Sequence, residues 1–222
     1  MKKTLKLVLC FAILIGIQTG QAEPIFRTNH ILSESFIHQP DTGFVDLKTY
    51  DSNFSYDFRY ATTNNFLKEK VYDCVQCLLR KDVAEALVRV NEKLKAKGYR
   101  IRLYDCYRPK GVQRKMWKIK PDARYVANPN AKGSSHNRGG AVDLTLETLE
   151  GKVLDMGTDF DHFGKRAHSD NNTLPAQILK NRELLRKTMM SEGFRPIRTE
   201  WWHFYFENAK KYSISNFPFD CQ

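Results

Sequence analysis

Apolar positions recur along the chain with two different periods, and these periods predict its main elements. Residues 82–98 carry a helical pattern that Gly98 ends. One face of this predicted helix holds Val83, Leu87, Val90, Asn91 and Leu94. Residues 99–103 instead alternate, with Ile101 and Leu103 on one side and two arginines on the other, which is typical of a half-buried strand.

The rest of the chain adds weaker elements without a regular order. We predict a short helix at 112–119, a loop at 120–135, a strand at 141–146, a helix at 175–193 and an aromatic strand at 199–206. Helices and strands are mixed without regular alternation. We therefore predict a single α+β domain, built on a small antiparallel sheet flanked by helices.

The first residues have the pattern of a signal peptide. Three lysines precede an apolar run at 7–17, and small residues follow up to Ala22, so we predict cleavage after Ala22. An N-terminal anchor helix is the alternative, but the run is short for one. Residues 1–22 are thus the predicted signal peptide. Residues 23–222 are the predicted domain, with 23–50 as an arm that lacks a clear period.

Charge changes the expected partners. Removing residues 1–22 takes away three lysines and no acidic residue, so the formal net charge falls from +11 to +8. This excess favours polyanions, and anionic cell-envelope polymers suit an exported periplasmic or extracellular protein. A merely solvated basic surface is the alternative, because the basic residues are scattered. We expect no nucleic-acid partner and, after cleavage, no membrane span.

Four cysteines remain in the predicted mature chain: Cys74, Cys77, Cys106 and Cys221. An even number in an exported protein predicts two disulfides, with three possible pairings. A redox or zinc pair at the C-x-x-C of residues 74–77 is the alternative. It is weaker, because no second such pair completes a structural zinc site.

Two histidines have surroundings that suggest chemistry. His136 precedes two glycines and Asp143, which opens an otherwise apolar strand; His203 lies with Glu200 among aromatic residues. Two imidazoles, one carboxylate and a water would make an open zinc site, with the second carboxylate available for proton transfer. Core histidines and buried salt-bridge acids are an equally good interpretation of composition alone.

Two motifs favour the zinc interpretation. Residues 134–143 read S-x-H-x-x-G-x-A-x-D and residues 200–203 read E-x-x-H, in company with 105–109 (DCYRP) and 60–66 (YATTNNF). Together they resemble the zinc signature of the D-alanyl-D-alanine dipeptidases, which are related to D,D-carboxypeptidases and the Hedgehog signalling domain. The similarity extends over residues 56–206, and it implies a zinc site on the sheet with one zinc ion per chain.

The resemblance also implies roles for individual residues. The metal ligands would be His136, Asp143 and His203, and Glu200 would be the catalytic acid–base. Arg108 would stabilise the oxyanion of the tetrahedral intermediate, with a structural pairing to Asp105 as the alternative. Further substrate-binding roles fall to three residues: Asp161, which would bind the substrate ammonium, and Tyr60 and Ser134, which would line the pocket.

The function implied is zinc-dependent hydrolysis of D-Ala-D-Ala or a similar small D-amino dipeptide, linked to peptidoglycan metabolism. A D,D- or L,D-carboxypeptidase acting on peptidoglycan stem peptides is the alternative. A catalytically inactive, zinc-containing wall-binding module belongs to a different class, and the presence of Glu200 argues against it. Glu200 and His203 would point to opposite faces of a flat strand, so we expect Glu200 at a bulge or just before regular pairing begins.

Overall fold

The sequence forms a five-stranded sheet with helices packed around it. The computed structural model describes residues 43–51 and 53–221. The strands are β1 Phe44–Asp46, β2 Ser55–Tyr56, β3 Leu78–Arg80, β4 Tyr99–Asp105, β5 Ala141–Thr148, β6 Phe194–Pro196 and β7 His203–Phe206. The α-helices are α1 Leu47–Tyr50, α2 Lys81–Lys95, α3 Lys110–Ile119 and α4 Ala176–Ser191. Short 3-10 turns occupy Arg59–Ala61, Ser135–Arg138, Lys165–Ala167 and Glu207–Lys211.

The main sheet is mixed, so the prediction of an antiparallel sheet was wrong. Its strand order is β2-β4-β5-β7-β6, and β2 runs parallel to β4 while the other pairs are antiparallel. A parallel pair needs a long crossover connection, and residues 57–98, which include α2, provide it here. A second, two-stranded sheet pairs β1 with β3.

The two strongest sequence patterns are confirmed. All five residues predicted to lie on the inner face of α2 are buried. In β4 the side chains of Ile101 and Leu103 are buried, while Arg100 and Arg102 are partly exposed and pair with Glu147 on β5. The carbonyl oxygen of the Asn91 side chain accepts a hydrogen bond from the Ile101 amide at 2.9 Å, which joins α2 to β4.

Strand β7 is shorter than its aromatic sequence predicts. It begins at His203, and residues 199–202 bend away from regular pairing. The Trp201 amide donates to the Ala167 carbonyl at 3.0 Å, and the Trp202 carbonyl accepts from the Leu144 amide at 3.1 Å. Both indoles are buried, so packing fixes this bend. Glu200 therefore precedes the strand, as one of the two expected arrangements requires.

The predicted signal peptide (1–22) and most of the predicted arm (23–50) lie outside the described residues. The described end of the arm forms β1 and α1, and Leu47 is fully buried in the core. The described residues form one compact unit. Within the described ranges, every helix is too short or too polar to cross a membrane.

Two disulfides connect the four cysteines of this unit. One joins Cys74 to Cys221, and the other joins Cys77 to Cys106. The prediction of two disulfides is thus confirmed, and one of the three open pairings is selected. The first disulfide fastens the end of the chain, and the second connects the residue before β3 to the turn that follows β4.

Candidate active site and metal centre

The antiparallel pairing of β5 with β7 brings two predicted ligands side by side. Asp143 and His203 are direct cross-strand partners in the register of this pair. His136 lies on the 3-10 turn immediately before β5, and the left-handed Gly139 ends that turn. The turn places the His136 ring next to the first residues of the strand. The three predicted ligands, from two strands and one turn, therefore meet at one end of the sheet.

The three side chains are close enough to share one metal ion. Nε2 of His136 lies 3.1 Å from Nδ1 of His203 and 3.4 Å from Oδ1 of Asp143. Nδ1 of His203 lies 2.9 Å from the same carboxylate oxygen. One potential ligand atom from each residue falls within 4.8 Å of the others, and all three residues are buried. Two imidazoles and one carboxylate form a ligand set typical of catalytic zinc.

The outer nitrogen of each imidazole has a fixed oxygen partner. Nδ1 of His136 lies 2.7 Å from the backbone carbonyl of Cys106, which can only accept a hydrogen bond. Nε2 of His203 lies 3.3 Å from Oγ of Ser135. In a neutral ring whose outer nitrogen donates, Nε2 of His136 or Nδ1 of His203 carries a lone pair that could bind a metal; in a protonated ring the same nitrogen donates to Asp143 instead. Such outer partners orient histidine ligands in metal sites, so the residues present fit a bound zinc.

The charge state of Asp143 also suits a ligand. Burial alone would raise the pKa of Asp143, but the adjacent His136 ring and hydrogen bonds from both imidazoles outweigh it and hold this pKa well below its usual range. The carboxylate is therefore ionised at neutral pH. For His136, burial opposes protonation, yet the charge of Asp143 raises the pKa of the ring.

Glu200 is a cleft carboxylate without a structural partner. Its side chain lines the same cleft as the three predicted ligands. Within the part of the chain that the structure describes, its carboxylate makes no hydrogen bond or ion pair. Burial raises the pKa of Glu200, against the lowering effect of His203. An unpaired carboxylate with a raised pKa suits proton transfer near neutral pH.

Arg108 is held by an ion pair and still faces the cleft. Its Nε and Nη2 donate to Oδ2 of Asp105 at 3.1 and 2.6 Å, and its Nη1 donates to Oε1 of Gln113 at 3.0 Å. The hydroxyl of Tyr72 donates to the other oxygen of Asp105 at 2.7 Å. The structural pairing with Asp105 therefore exists. It uses three of the five guanidinium N–H groups, so it is compatible with a role toward substrate.

Asp161 presents an oxygen that lacks a partner. Oδ1 accepts a hydrogen bond from the Tyr60 hydroxyl at 3.0 Å, whereas Oδ2 is buried without any hydrogen bond. Burial, together with the charge of Asp143, raises the pKa of Asp161 well above its usual value. The backbone of Asp161 is left-handed, with a φ of 60°. A buried carboxylate oxygen without a donor is a place where a cationic ligand would be stabilised.

All eight residues singled out in the sequence line one cleft of about 360 Å³. They are Tyr60, Arg108, Ser134, His136, Asp143, Asp161, Glu200 and His203. The Ser134 hydroxyl accepts from the His136 amide at 3.2 Å, so it caps the turn that carries the ligand. A larger cleft of about 490 Å³ lies beside α4 and contains none of these eight residues.

Sequence reasoning missed the residues that form hydrogen bonds to the side chains of this site and hold them in place. Ser135 is adjacent to a predicted ligand, and its position in the motif could have suggested a role. Tyr72 and Gln113 gave no signal, because only the tertiary fold brings them to Asp105 and Arg108. The carbonyl of Cys106 is a backbone atom, so its residue type carries no information about the contact.

The chain also matches known proteins in sequence. A family model described as D-ala-D-ala dipeptidase matches residues 40–220. The chain is 36% identical to the D-alanyl-D-alanine dipeptidase of Escherichia coli K12 over 180 residues, which cover 81% of this chain and 93% of that protein. It is 31% identical to the D-alanyl-D-alanine dipeptidase of Enterococcus faecium over 199 residues, covering 81% and 98%.

One solved structure, the LdcB LD-carboxypeptidase, aligns with 78% of this chain and 73% of its own at 17% identity and a TM-score of 0.46. The family model covers the whole stretch that carries the site, from Tyr60 to His203. Two curated relatives match over most of their own length as well. On these matches, the chain belongs to the D-ala-D-ala dipeptidase family.

Proposed function

We propose that this protein is an exported, zinc-dependent dipeptidase that hydrolyses D-Ala-D-Ala as part of peptidoglycan metabolism. The observation that carries the proposal is the content of one cleft. A cluster of two histidines and one aspartate lies there with an unpaired Glu200, a fixed Arg108 and an unpartnered oxygen of Asp161. Membership of the dipeptidase family supports the same conclusion.

The metal would be held by Nε2 of His136, Nδ1 of His203 and the carboxylate of Asp143. A bound zinc supplies a Lewis acid that polarises the scissile carbonyl and lowers the pKa of water. The other steps belong to the protein. Glu200 takes the proton from the attacking water and returns it to the leaving amine, which its lack of a structural partner permits.

Arg108 stabilises the negative charge that develops on the substrate during the reaction. The Asp105 pair and Gln113 hold the guanidinium in one orientation, so it need not reorganise when the substrate carbonyl oxygen becomes negative. Preorganised cations and donors of this kind are among the strongest contributions to catalysis. The same ion pair that fixes Arg108 structurally would thus prepare it for catalysis.

Asp161 selects the class of substrate in this proposal. A free dipeptide carries an ammonium group next to its single peptide bond, and that ammonium would donate to the unpartnered Oδ2. The Tyr60 hydroxyl already satisfies Oδ1, so it fixes the direction in which the free oxygen points. A peptidoglycan stem has an amide at the equivalent position, which offers no positive charge.

A direct comparison of three substrates tests this function. Purified protein with zinc is offered D-Ala-D-Ala, L-Ala-L-Ala and a muropeptide with a complete stem, and the alanine released from each is quantified. We expect cleavage of D-Ala-D-Ala in clear preference to both others. Preferential release of the terminal residue from the muropeptide would instead assign a carboxypeptidase. No cleavage of any of them by zinc-loaded protein would favour a wall-binding module.

A further inference from the structure

Strand β3 contacts both segments that form the hydrogen bond orienting His136. That bond runs from Nδ1 of His136 to the Cys106 carbonyl. Cys106 belongs to the turn after β4, and the Cys77–Cys106 disulfide ties this turn to the residue that precedes β3. The Tyr107 amide adds a hydrogen bond to the Leu78 carbonyl at 3.0 Å. The acceptor side of the bond is therefore anchored to β3.

The donor side is anchored to the same strand. The Arg80 amide donates to the Gly139 carbonyl at 3.0 Å, and its Nε donates to the Arg138 carbonyl at 3.0 Å. These two carbonyls lie at the end of the 3-10 turn that carries His136. Strand β3 thus contacts both the turn after β4 and the turn that carries His136. The separation of these two turns sets the distance from Nδ1 of His136 to the Cys106 carbonyl.

The disulfide is a covalent link between the two sheets. Strand β3 pairs with β1 in the two-stranded sheet, whereas Cys106 directly follows β4 of the main sheet. Ladder hydrogen bonds of the main sheet therefore do not hold β3 against the Cys106 turn. Both sulfur-bearing residues are buried, with 0% of Cys77 and 1% of Cys106 exposed.

We propose that the Cys77–Cys106 disulfide is a positioning element of the metal centre. It holds the Cys106 carbonyl against Nδ1 of His136, so zinc affinity depends on the oxidation of this cysteine pair. This inference rests on the zinc site of the proposed function. A consequence is that the protein acquires full metal affinity only after its disulfides form, which couples activity to an oxidising compartment.

The second disulfide offers a matched control. It joins Cys74 to Cys221 and fastens the end of the chain, where Cys221 is exposed. Among the described residues, neither of these cysteines makes a hydrogen bond to the turn that carries His136. Loss of this disulfide leaves the contacts of β3 with the Cys106 turn and with Gly139 in place. The C-terminal segment keeps its own hydrogen bond to the His136 turn, from the Ser215 amide to the Asn137 carbonyl at 2.8 Å.

The first experiment measures zinc affinity by competition with a chromogenic chelator. It compares the wild type with Cys77→Ala/Cys106→Ala and Cys74→Ala/Cys221→Ala, each with its fold verified by circular dichroism. Changes to an outer partner typically weaken metal binding about 10- to 100-fold. We expect a loss in this range in the first variant alone, where the Cys106 carbonyl remains but is no longer held in place by the disulfide. Cobalt-substituted protein should show a shifted visible spectrum in the same variant, because the His136 ring is reoriented. Equal affinities and spectra in the two variants would overturn the inference.

A second experiment uses only the wild type and so remains decisive if a variant fails to fold. Coupling is reciprocal, so zinc must stabilise the oxidised form of Cys77–Cys106 by the factor by which the disulfide strengthens zinc binding. Its reduction potential is measured in glutathione buffers with and without buffered zinc, and tryptic mapping identifies the pair. A tenfold coupling lowers the potential by about 30 mV. An unchanged or raised potential would refute the coupling. A wild type that binds no zinc would instead refute the proposed metal centre.

Discussion

At the scale of single residues, three carboxylates in one cleft, one buried and two partly buried, have three different environments. Hydrogen bonds from two imidazoles keep Asp143 ionised despite burial, as a metal ligand must be. Glu200 has a raised pKa and no partner, which suits a group that gains and loses a proton. Asp161 has a pKa raised well above its usual value, and one of its oxygens lacks a donor. When neighbouring acids have different environments, their pKa values differ, and this difference indicates which acid takes which chemical role.

Substitution should separate metal binding from proton transfer. Glu200→Ala is expected to keep its fold and about one zinc per chain while losing turnover by roughly 10²- to 10⁴-fold, the usual contribution of a general acid–base. His203→Ala and His136→Ala should lose the zinc itself. Elemental analysis and kcat of the purified variants provide the measurements. Substantial turnover by folded Glu200→Ala would identify another base, and active wild type without a transition metal would refute the metal centre.

The unpartnered oxygen of Asp161 predicts how the enzyme responds to a blocked substrate. N-acetylated D-Ala-D-Ala lacks the ammonium charge and is bulkier, so kcat/KM for it should fall far below the value for the free dipeptide. Asp161→Ala should weaken this preference, because the free dipeptide then loses its ionic partner. Only partial relief is expected, since the acetyl group must still fit the cleft. Equal cleavage of both compounds by the wild type would reject the dipeptidase in favour of a carboxypeptidase.

At the scale of elements, the sequence was informative where a period is long enough to be read. Helix α2 and strand β4 have 15 and 7 residues, and their buried faces follow the predicted pattern. Strands β1, β2, β3 and β6 have three residues or fewer, which is too short for a period of two to be distinguished. The parallel pairing of β2 therefore could not be predicted. Strand β7 was predicted too long because aromatic residues that fill the core look like a strand.

The turn that carries His136 depends on a glycine, and a second glycine provides the control. Gly139 has a φ of +69°, and a Cβ built there would lie 2.2 Å from Cε1 of Phe44. The Phe44 ring is buried against Tyr107, with centroids 4.3 Å apart, so moving it aside would cost free energy. Gly98 has a φ of +84° but has no atom within 4 Å of a built Cβ.

Both Gly139→Ala and Gly98→Ala should therefore reduce the free energy of unfolding, but by different amounts. Gly98→Ala carries only the cost of a left-handed alanine, about 1 kcal/mol. Gly139→Ala adds overpacking against Phe44, about 1–3 kcal/mol more, and should also weaken zinc binding because the turn shifts. Urea unfolding of the metal-free proteins gives the stabilities. Equal losses at the two positions would show that the contact with Phe44 is unimportant.

At the scale of the whole molecule, the fold supplied what the motifs could not. Sequence reasoning named eight residues that line one cleft, because their types and spacing carry the chemistry. The supporting contacts join distant segments: Tyr72 reaches Asp105, and Ser135 reaches His203. Such contacts follow from tertiary packing, and a single sequence has no periodicity that encodes them. The cysteine pairing belongs to the same class, since the even count predicted two disulfides but not which ones.

The two disulfides make a prediction about the compartment in which the protein matures. If the first 22 residues are a signal peptide, intact mass spectrometry of protein taken from the cell envelope should find a chain that begins at Glu23. Thiol titration of the same protein, denatured without reduction, should find essentially no free cysteine, because all four cysteines of residues 23–222 are paired. Protein retained in the cytosol by deletion of residues 2–22 is the control, since thiols there are kept reduced. Four free thiols in envelope protein would contradict both the pairing and the export, whereas an uncleaved N-terminus with paired cysteines would contradict the signal peptide alone.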